Sequence, residues 1–311
     1  MTIHAATYHS GKFLQETELL DCSRCCPWCG FAEQRNRVFV LQERPDVYLL
    51  KCPRCHGVSS SQVATDAALA TYYGSYYADS NQARVTCGNP GKFAAHIHKY
   101  TSRRIDSPRT SVLDFGGGDG SIGYAIALEL ARQSPAMIDV AVIDQNTRLV
   151  ASENPRVTLS HASDLEQIQN GGRFDLVLAG AVLEHLAKPA EITRRLLHML
   201  SPGGYFYART PFMVPLLKIL ERLHIPFDFT FPGHFHDLGQ DFWENIIPTL
   251  GMDPREWRVE RSRPSMVETS FSQNFSRTLL SYLMKAPWWL LRGAYPYTGG
   301  WEVYIHRSPV S

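Results

Sequence analysis

Cysteine pairs near the start of the chain are the first residues whose type and spacing could do chemistry. The stretches "CPWC" and "CPRC" pair Cys26 with Cys29 and Cys52 with Cys55, with two residues between the thiols each time. Two such turns can present four thiolates in a tetrahedron, the geometry that a structural Zn²⁺ ion prefers. A site closed by four cysteines has no open position for a substrate, so the pattern predicts a structural zinc site.

The segment between the pairs predicts a small zinc ribbon over residues 18–62. Its runs "RVFVL" and "DVYLL" alternate as strands do. The segment is too small for a core of its own, so metal binding would supply its folding energy. A thioredoxin-like redox role for "CPWC" needs a longer strand–helix context and leaves "CPRC" unexplained. Cys22 and Cys25 form another such spacing, and either could replace one of the four thiols.

Composition and charge bound the class of protein. The chain has 311 residues, 44% hydrophobic and 20% charged, with a net charge of +1. This is ordinary globular composition, and the near-neutral balance argues against a strongly basic nucleic-acid binder. No apolar run reaches the length of a membrane span, and the first residues lack a secretory signal pattern. We therefore expect a cytoplasmic protein, in which disulfides are rare.

A glycine-rich loop marks the second chemical centre. Residues 112–120, "VLDFGGGDG", precede the helical pattern "SIGYAIALELARQ" and predict a strand, a tight loop and a helix. A dinucleotide would press its pyrophosphate against this loop, where Asp114 and Asp119 would repel it. Those carboxylates suit a ligand with an ammonium and a sulfonium, which favours S-adenosylmethionine.

The segments that follow place polar residues at the ends of successive strands. "MIDVAVID" ends in Asp144, which could hold the ribose hydroxyls, and "RVTLSHASDL" carries Ser163 and Asp164 within reach of an adenine amine. "RFDLVLAGAVLEHL" and "HMLSPGGYFYART" supply two further strands. Alternating strands and helices predict an α/β fold with a parallel sheet and ligands at the carboxyl ends of the strands.

Together the motifs "VLDFGGGDG", "VID", "FDLVLAGAVLEHL" and "LSPGGYFYARTP" resemble those of class I S-adenosylmethionine-dependent methyltransferases, over about residues 90–260. The resemblance implies a doubly wound, Rossmann-like domain over residues 63–311. The "CPxC…CPRCHGV" front with "ATYYGSYYAD" resembles zinc-ribbon methyltransferases of bacterial surface-polysaccharide and natural-product gene clusters. That resemblance implies a carbohydrate or glycolipid acceptor.

The resemblance also implies the cofactor-binding residues. Asp144 would hold the ribose, and Ser163 and Asp164 would flank the adenine. Ala179 and Gly180 would lie beside the sulfonium. The methionine portion would be lined by Asp114, Gly116, Gly118 and Gly120. Two plainer interpretations stay open: Asp144 as a solvated strand end, and Asp164 as the N-cap of a helix.

Histidines are the candidate bases for a hydroxyl acceptor, because their ordinary pKa is near neutral. His234 and His236 in "HFHDL" are favoured over His185 in "LEHL", since "HFHDL" follows the fifth strand and is expected to open a helix facing the acceptor. Each histidine could instead satisfy local backbone groups, and Asp237 could cap that helix. Some ubiquinone-pathway O-methyltransferases have a metal-binding Glu-x-x-Glu-His here, but Ala181 replaces its first acid, which argues against a catalytic magnesium ion.

Two insertions, near residues 211–232 and 272–297, are expected to lie over the strand ends as lids. The second is rich in leucine and aromatic residues, among them Trp288 and Trp289, with Arg277, Lys285 and Arg292 interspersed. The plain expectation is that the lids pack on each other. The alternative is a peripheral contact with the inner face of the membrane, which would suit a lipid-linked sugar.

The sequence thus favours O-methylation of a sugar or lipid-linked saccharide. A C- or N-methyl product on the same class of acceptor stays open, because the motifs report the cofactor and not the acceptor atom. A zinc-ribbon rRNA base methyltransferase would need a basic, phosphate-binding face. A non-enzymatic binding protein is disfavoured by the intact glycine loop and Asp144. The oligomeric state is not indicated.

Overall fold

A central sheet flanked by helices, with a small sheet at the front of the chain, makes up the fold. The computed structural model describes residues 13–78, 89–101, 108–168, 172–225, 227, 229–291 and 295–309. In chain order the strands are β1 (Leu19–Asp21), β2 (Asn36–Gln42), β3 (Val47–Lys51), β4 (Val58–Ser60), β5 (Gln62–Ala64), β6 (Arg109–Phe115), β7 (Met137–Ile143), β8 (Val157–Ala162), β9 (Phe174–Gly180), β10 (Leu200–Phe212), β11 (His236–Asp237), β12 (Trp257–Pro264) and β13 (Gly299–Arg307). The helices used below are α1 (Asp66–Ala78), α2 (Pro90–Thr101), α3 (Ser121–Gln133), α4 (Pro189–His198), α5 (Val214–Arg222), α6 (Gln240–Glu244), α7 (Ile246–Thr249) and α8 (Phe275–Leu291).

Seven strands form the central sheet in the order β12-β13-β10-β9-β6-β7-β8. The five from β10 to β8 are parallel, and β13 runs antiparallel to both β10 and β12. From β6 the chain winds outward through β7 and β8, then returns to the other side of β6 as β9. Ligands of such sheets bind at the carboxyl ends of the strands where the order reverses. The predicted doubly wound α/β fold is confirmed.

The strands occupy the centre because they are apolar on both faces. On one face Val112 and Leu178 pack with Phe93 and Ile97 of α2 and with α3, and on the other Leu113 packs with α4 and α6 residues. Strands buried on both sides show nearly continuous apolar runs, as "SVLDF" and "FDLVLAG" do. This burial holds the polar strand ends at one edge.

The front sheet contains the two predicted ribbon strands and two strands that the sequence did not indicate, β4 and β11. Its order is β11-β4-β3-β2, and all three pairings are antiparallel. The runs "RVFVL" and "DVYLL" are β2 and β3, as predicted. The added strand β11 is the "HFHDL" segment, in which His236 lies opposite Ser59. The separate pair β1–β5 reaches Ala64, two residues past the predicted boundary, which stays a prediction.

Both insertions form helices after strands of the central sheet. In the first, Val214 and Leu217 of α5 join the apolar residues of the ribbon, so α5 packs on the ribbon rather than on bare strand ends. The second contains α8. A Cβ atom added at Gly299 would lie 3.7 Å from both Met213 and Met284, so the two insertions meet above the start of β13. Within the described ranges, no helix has the length and apolarity needed to span a bilayer.

Candidate active site and metal centre

The glycine loop follows β6 at the carboxyl edge of the sheet. Gly116 and Gly120 have φ angles of +71° and +74°, in the left-handed region that favours glycine. A Cβ atom at Gly116 would also lie 2.5 Å from the side chain of Val182. Gly118 shares the positive φ. The backbone therefore lies bare at the predicted cofactor site, where a ligand can approach it closely.

Asp114, at the end of β6, lies beneath this loop. One carboxylate oxygen accepts a hydrogen bond from the Gly123 backbone N–H at 3.0 Å, and the side chain is 4% exposed. The pKa of Asp114 is raised to about 7, chiefly by burial, with the Gly123 hydrogen bond lowering it and the nearby charges of Asp144 and Asp119 adding to the rise. The pKa of such a carboxyl would fall if a cation bound beside it.

Asp144 follows β7 and faces the same loop. Its Oδ2 accepts from the Gly118 N–H at 2.8 Å and its Oδ1 from the Asn146 N–H at 2.8 Å. Because a carboxylate offers about four lone-pair sites, both oxygens can still accept from a diol. The acid therefore ties the strand end to the loop and is more than a solvated end.

Ser163 and Asp164 follow β8 and belong to a short 3₁₀ turn, Leu165–Gln167. Asp164 is the N-cap of this turn and accepts from the Gln167 N–H at 3.0 Å. The Ser163 hydroxyl donates to the other Asp164 oxygen at 3.0 Å. The plainer interpretation of Asp164 as a cap thus describes its contacts, and an adenine contact stays a prediction.

A pocket at the strand ends collects several predicted residues. It is lined by Phe93, Ile97, Asp114, Gly116, Gly117, Ile122, Leu178, Gly180 and Tyr207. Gly180 thus faces the pocket with Asp114 and Gly116. Ala179 does not line it, because its side chain points into the core and is fully buried. Any contact of Ala179 with the cofactor would come from its backbone.

The four predicted cysteines come together at the tip of the ribbon. The Sγ atoms of Cys26 and Cys55 lie 3.6 Å apart, as do those of Cys29 and Cys52, and all four lie within 4.8 Å of one another. Four sulfurs at about 2.3 Å from a tetrahedral Zn²⁺ would be separated by about 3.8 Å. Cys22 and Cys25 lie outside this cluster, and the described cysteines are free thiols.

The two cysteine turns share one backbone design. In the first, Cys26 accepts from Gly30 N–H and donates to Phe31; in the second, Cys52 accepts from His56 N–H and donates to Gly57. Gly30 and His56 both have positive φ, +68° and +61°. This repeated turn aims all four thiols at one point, which is the geometry of paired zinc knuckles.

The histidines of "HFHDL" have different surroundings. His236 is 1% exposed, and its ring nitrogens lie 3.0 Å from the Ser59 hydroxyl and 2.7 Å from the Leu186 carbonyl oxygen. Burial lowers the pKa of His236 to about 4. Both nitrogens are therefore used to join the ribbon to the main domain, and our proposal below leaves His236 out of the chemistry.

His234 instead lies half-buried beside His185, with ring centroids 4.8 Å apart. His185 Nδ1 lies 2.8 Å from the Gly233 carbonyl oxygen and 3.0 Å from the Tyr73 hydroxyl. Glu184 is buried, and one ligand atom from each of Glu184, His185 and His234 lies within 4.8 Å of the others, so the three could hold a metal ion. Burial raises the pKa of Glu184.

The segment "HFHDL" does not open a helix as expected. It forms β11, and α6 begins only at Gln240 with Gly239 as its N-cap. Asp237 caps the lid helix α5 instead, since its Oδ2 accepts from the Met213 and Val214 N–H groups. The edge strand β4 of the ribbon offers unpaired backbone N–H and C=O groups. Pairing with β11 satisfies these groups, which a helix at this position would have left without partners.

Comparison with known proteins decides the family. A family described as "Methyltransferase domain" matches residues 88–251, more than half of the chain. The chain belongs to this methyltransferase family. The predicted methyltransferase domain is therefore confirmed at the level of the family.

Curated relatives of this methyltransferase include ubiquinone biosynthesis O-methyltransferases. That of Xanthomonas oryzae pv. oryzae (strain PXO99A) is 29% identical over 164 residues, covering 51% of this chain and 64% of the relative. That of Xanthomonas axonopodis pv. citri is 28% identical over 152 residues, covering 48% and 60%. The chain therefore spans less than two thirds of the length of these relatives.

Solved structures of similar fold include two further methyltransferases. The plantazolicin methyltransferase BpumL, in complex with a triazolic analogue and S-adenosylhomocysteine, is 16% identical with a TM-score of 0.48, covering 78% of this chain and 92% of that one. An S-adenosylmethionine-dependent methyltransferase of Mesorhizobium loti is 15% identical with a TM-score of 0.42, covering 71% and 100%.

One polar network beside the pocket of this methyltransferase was missed by the sequence analysis. Glu302 in β13 is fully buried; its carboxylate lies 2.8 Å from His96 Nε2, 3.2 Å from Arg263 Nε and 3.4 Å from the hydroxyl of the pocket residue Tyr207. Burial raises the pKa of Tyr207 well above its ordinary value, and the Glu302 charge raises it further. The lone acid in the apolar run "GGWEVYIH" was the signal that could have indicated the network.

Proposed function

We propose that this methyltransferase methylates a hydroxyl group of a sugar or of a lipid-linked saccharide. The observation that carries O-methylation is the cluster of Glu184, His185 and His234, in which Glu184 and His185 follow β9 shortly after the pocket residue Gly180 and His234 comes from the segment before β11. A hydroxyl acceptor must lose its proton as it is methylated, and a histidine within reach can take it. The saccharide is inferred from the resemblance of the ribbon segment.

S-adenosylmethionine supplies a methyl group on a sulfonium and a thioether leaving group. In our proposal the methionine portion lies over Asp114, Gly116, Gly118 and Gly120, the ribose on Asp144, and the adenine beside Ser163 and Asp164, with the sulfonium near the backbone of Ala179 and Gly180. The exposed loop backbone and the two strand-end acids support this arrangement.

The proposed base is His234, with His185 beside it. His234 is half-buried and belongs to the same cluster as the buried Glu184, and the ionised form of this carboxyl would favour the imidazolium formed when the proton is taken. His185 is held in place by the Gly233 carbonyl and the Tyr73 hydroxyl. We therefore assign proton uptake to His234 and positioning to His185.

The base assignment is tested by His234→Ala, His185→Ala and a matched control, His198→Ala, on the exposed side of α4. We expect His234→Ala to lower kcat by about 10²- to 10⁴-fold while the affinity for S-adenosylmethionine is retained. His198→Ala should leave both values near wild type. Near-normal turnover in His234→Ala and His185→Ala would remove the histidines from the mechanism.

We also propose that Cys26, Cys29, Cys52 and Cys55 hold one structural Zn²⁺ per chain. The observation behind this is the closed cluster of four sulfurs on two matching turns. Metal analysis of the purified protein should find one zinc ion per chain, retained in the control Cys25→Ser and lost in Cys55→Ser. A folded ribbon without metal, or a Cys26–Cys29 disulfide, would refute the assignment.

A second candidate acceptor is a hydroxyl group on a ubiquinone precursor. It is favoured by the curated relatives named above, which are O-methyltransferases of ubiquinone biosynthesis. Release of S-adenosylhomocysteine should be measured with polyprenyl-linked saccharides, with hydroxylated polyprenyl benzenes and with an rRNA fragment. Turnover with the saccharides alone supports our proposal, and turnover with either of the other two replaces it.

A further inference from the structure

The lid helix α8 is held to the protein by few of its side chains. Thr278 is the one buried residue among those described in the helix, and its hydroxyl lies 2.7 Å from the Thr269 hydroxyl. Lys285 donates to the Ser265 hydroxyl at 2.9 Å and also bonds neighbouring carbonyl oxygens. Met284 and Trp288 are half-buried on the same side, so α8 buries less apolar surface than a surface helix of a globular protein normally does.

The rest of α8 exposes large apolar side chains to solvent. The exposed fractions are 88% for Leu290, 64% for Phe275, 61% for Leu283, 59% for Leu280 and 58% for Trp289. Phe271, just before the helix, is 48% exposed and stacks on Tyr282 at 5.7 Å. A contiguous apolar surface of this kind marks an interaction site rather than ordinary scatter of apolar residues.

Charge distinguishes the occupants of this face. Residues 269–301 contain no aspartate or glutamate, whereas Arg277 lies exposed on α8. Two copies of this segment brought together would offer Arg277 no acidic partner, because residues 269–301 hold none. An anionic lipid surface is complementary to such a segment, and tryptophan and tyrosine beside leucine are typical of helices that lie in a membrane interface.

We propose that the exposed apolar surface of α8, made by Leu279, Leu280, Leu283 and Leu290 and bordered by Phe275 and Trp289, docks on the surface of an anionic phospholipid bilayer, with the helix parallel to the surface. At this border the Trp289 ring also lies 5.0 Å from the guanidinium of Arg263. Trp288 and Lys285, which the sequence analysis had placed in such a contact, face the protein instead: Trp288 packs on Trp301, and Lys285 binds the loop beneath. The proposal does not depend on the acceptor.

Docking in this orientation would hold the entrance of the pocket close to the bilayer. Met284 of α8 and Met213 of the first lid both approach Gly299, next to the carboxyl end of β10. The helix spans about 25 Å along its axis, which is enough to cover this end of the sheet. An acceptor anchored in the lipid would then reach the site without leaving the membrane.

The experiment is co-sedimentation of the full chain with vesicles of phosphatidylcholine and phosphatidylglycerol in equal parts, without cofactor or acceptor. We expect wild type to partition onto the vesicles and Leu280→Glu/Leu283→Glu to partition about tenfold less or worse, because each leucine loses its apolar contact with the acyl region. The matched control Gln133→Glu/Thr158→Glu adds the same charge at exposed positions at the opposite edge of the central sheet and should bind within about threefold of wild type, because the surface potential of the bilayer falls off over a short distance.

A second measurement identifies the side chain that enters the bilayer. Tryptophan fluorescence should be quenched by brominated lipids in wild type and in Trp288→Phe, and much less in Trp289→Phe. Melting temperatures of all variants should match wild type, because the changed residues are exposed or are conservatively replaced.

Two outcomes would overturn the proposal. The first is a folded wild-type protein that stays in the supernatant with these vesicles. The second is a dimer, seen by sedimentation equilibrium without lipid, that Leu280→Glu/Leu283→Glu dissociates; α8 would then be an interface between copies of this chain.

Discussion

At the scale of residues, two carboxylates, Asp114 and Asp144, distinguish the candidate cofactor site. Asp114 and Asp144 occupy similar strand ends, yet Asp114 is buried beneath the loop and Asp144 is only partly covered. The pKa of Asp114 is raised to about 7, chiefly by that burial. Because its ionised form is costly without a cation nearby, Asp114 is where cofactor binding and pH should be linked.

S-adenosylmethionine should therefore bind more tightly as the pH rises. Below about pH 7 Asp114 is protonated in the free protein, whereas the ammonium of the cofactor favours the ionised form. We expect calorimetry to give an affinity about tenfold weaker at pH 6 than at pH 8, with proton release on binding. In Asp114→Asn the pH dependence should vanish; if it persists there, another group is responsible.

The raised pKa of Asp114 also determines how its contribution to the stability of the fold changes with pH. Its folded pKa lies above the ordinary 3.8. Its contribution to stability is thus complete below about pH 4 and is lost as the pH rises through about 7. Bound cofactor should offset that loss, which melting curves with and without S-adenosylhomocysteine would measure.

The ribose acid gives a separate prediction. We expect Asp144→Ala to weaken S-adenosylmethionine binding by about 1.5–3 kcal/mol, as for lost hydrogen bonds to a charged group, and NAD not to bind either protein. Asp139→Ala, which removes a carboxylate of the same strand β7 that lies outside the proposed cofactor site, is the comparison variant. Tight NAD binding by the wild type would contradict the charge argument made for the glycine loop.

At the scale of elements, the short strand β11 connects three parts of the molecule. Its residues pair with β4 of the ribbon, and the preceding Phe235 donates its N–H to the Glu184 carbonyl at 2.7 Å and accepts from Ser60 N–H at 2.8 Å. Asp237 at its end caps α5. One peptide segment thus links the ribbon, the histidine cluster and the first lid.

Loss of this cap should destabilise the lid. We expect Asp237→Ala to lower the free energy of unfolding by about 0.5–2 kcal/mol, since buried N–H groups at the start of α5 lose their acceptor. Asp241→Ala, four residues along and exposed, is the matched control and should change little. Chemical denaturation measures both variants, and equal effects would mean that Asp237 does not act as a cap.

At the scale of the whole molecule, ribbon and main domain share one apolar core. Cys26, Cys52, Cys55 and Trp28 belong to the same buried cluster as Leu183 and Leu238. Trp28 packs edge-on against Phe242 at 4.7 Å, and a Cβ atom at Gly57 would lie 2.9 Å from the same ring. The ribbon is therefore part of the structure that supports the site.

Because the core is shared, unfolding should be a single cooperative transition whose midpoint depends on zinc. We expect chelation of the metal to lower the melting temperature of the whole chain by about 10 °C or more, since structural zinc binding contributes directly to folding. Calorimetry would show this. An early transition of the ribbon alone, with the main transition unmoved, would contradict the shared core.

The sequence by itself determined the local chemistry. The spacing in "CPWC" and "CPRC" selects the four thiols, because two intervening residues form one tight turn. The pattern "VLDFGGGDG" and the acids that follow the next strands specify a doubly wound sheet and its ligand edge, because these signals are contained within single strand–loop–helix units. Both were predicted from consecutive residues and agree with the structure.

Only the tertiary structure decided which distant segments contact one another, and thereby what each of these residues does. "HFHDL" pairs with a ribbon edge about 177 positions earlier, which buries His236, redirects Asp237 to α5 and leaves His234 beside His185. Glu302 meets His96 across 206 positions. The exposed apolar surface of α8 was equally hidden, because composition gives the apolar residues but not which side of the helix packs on the protein. Such pairings depend on which strand edge or helix face the neighbouring elements leave uncovered. The periodicity of a single segment does not contain this information.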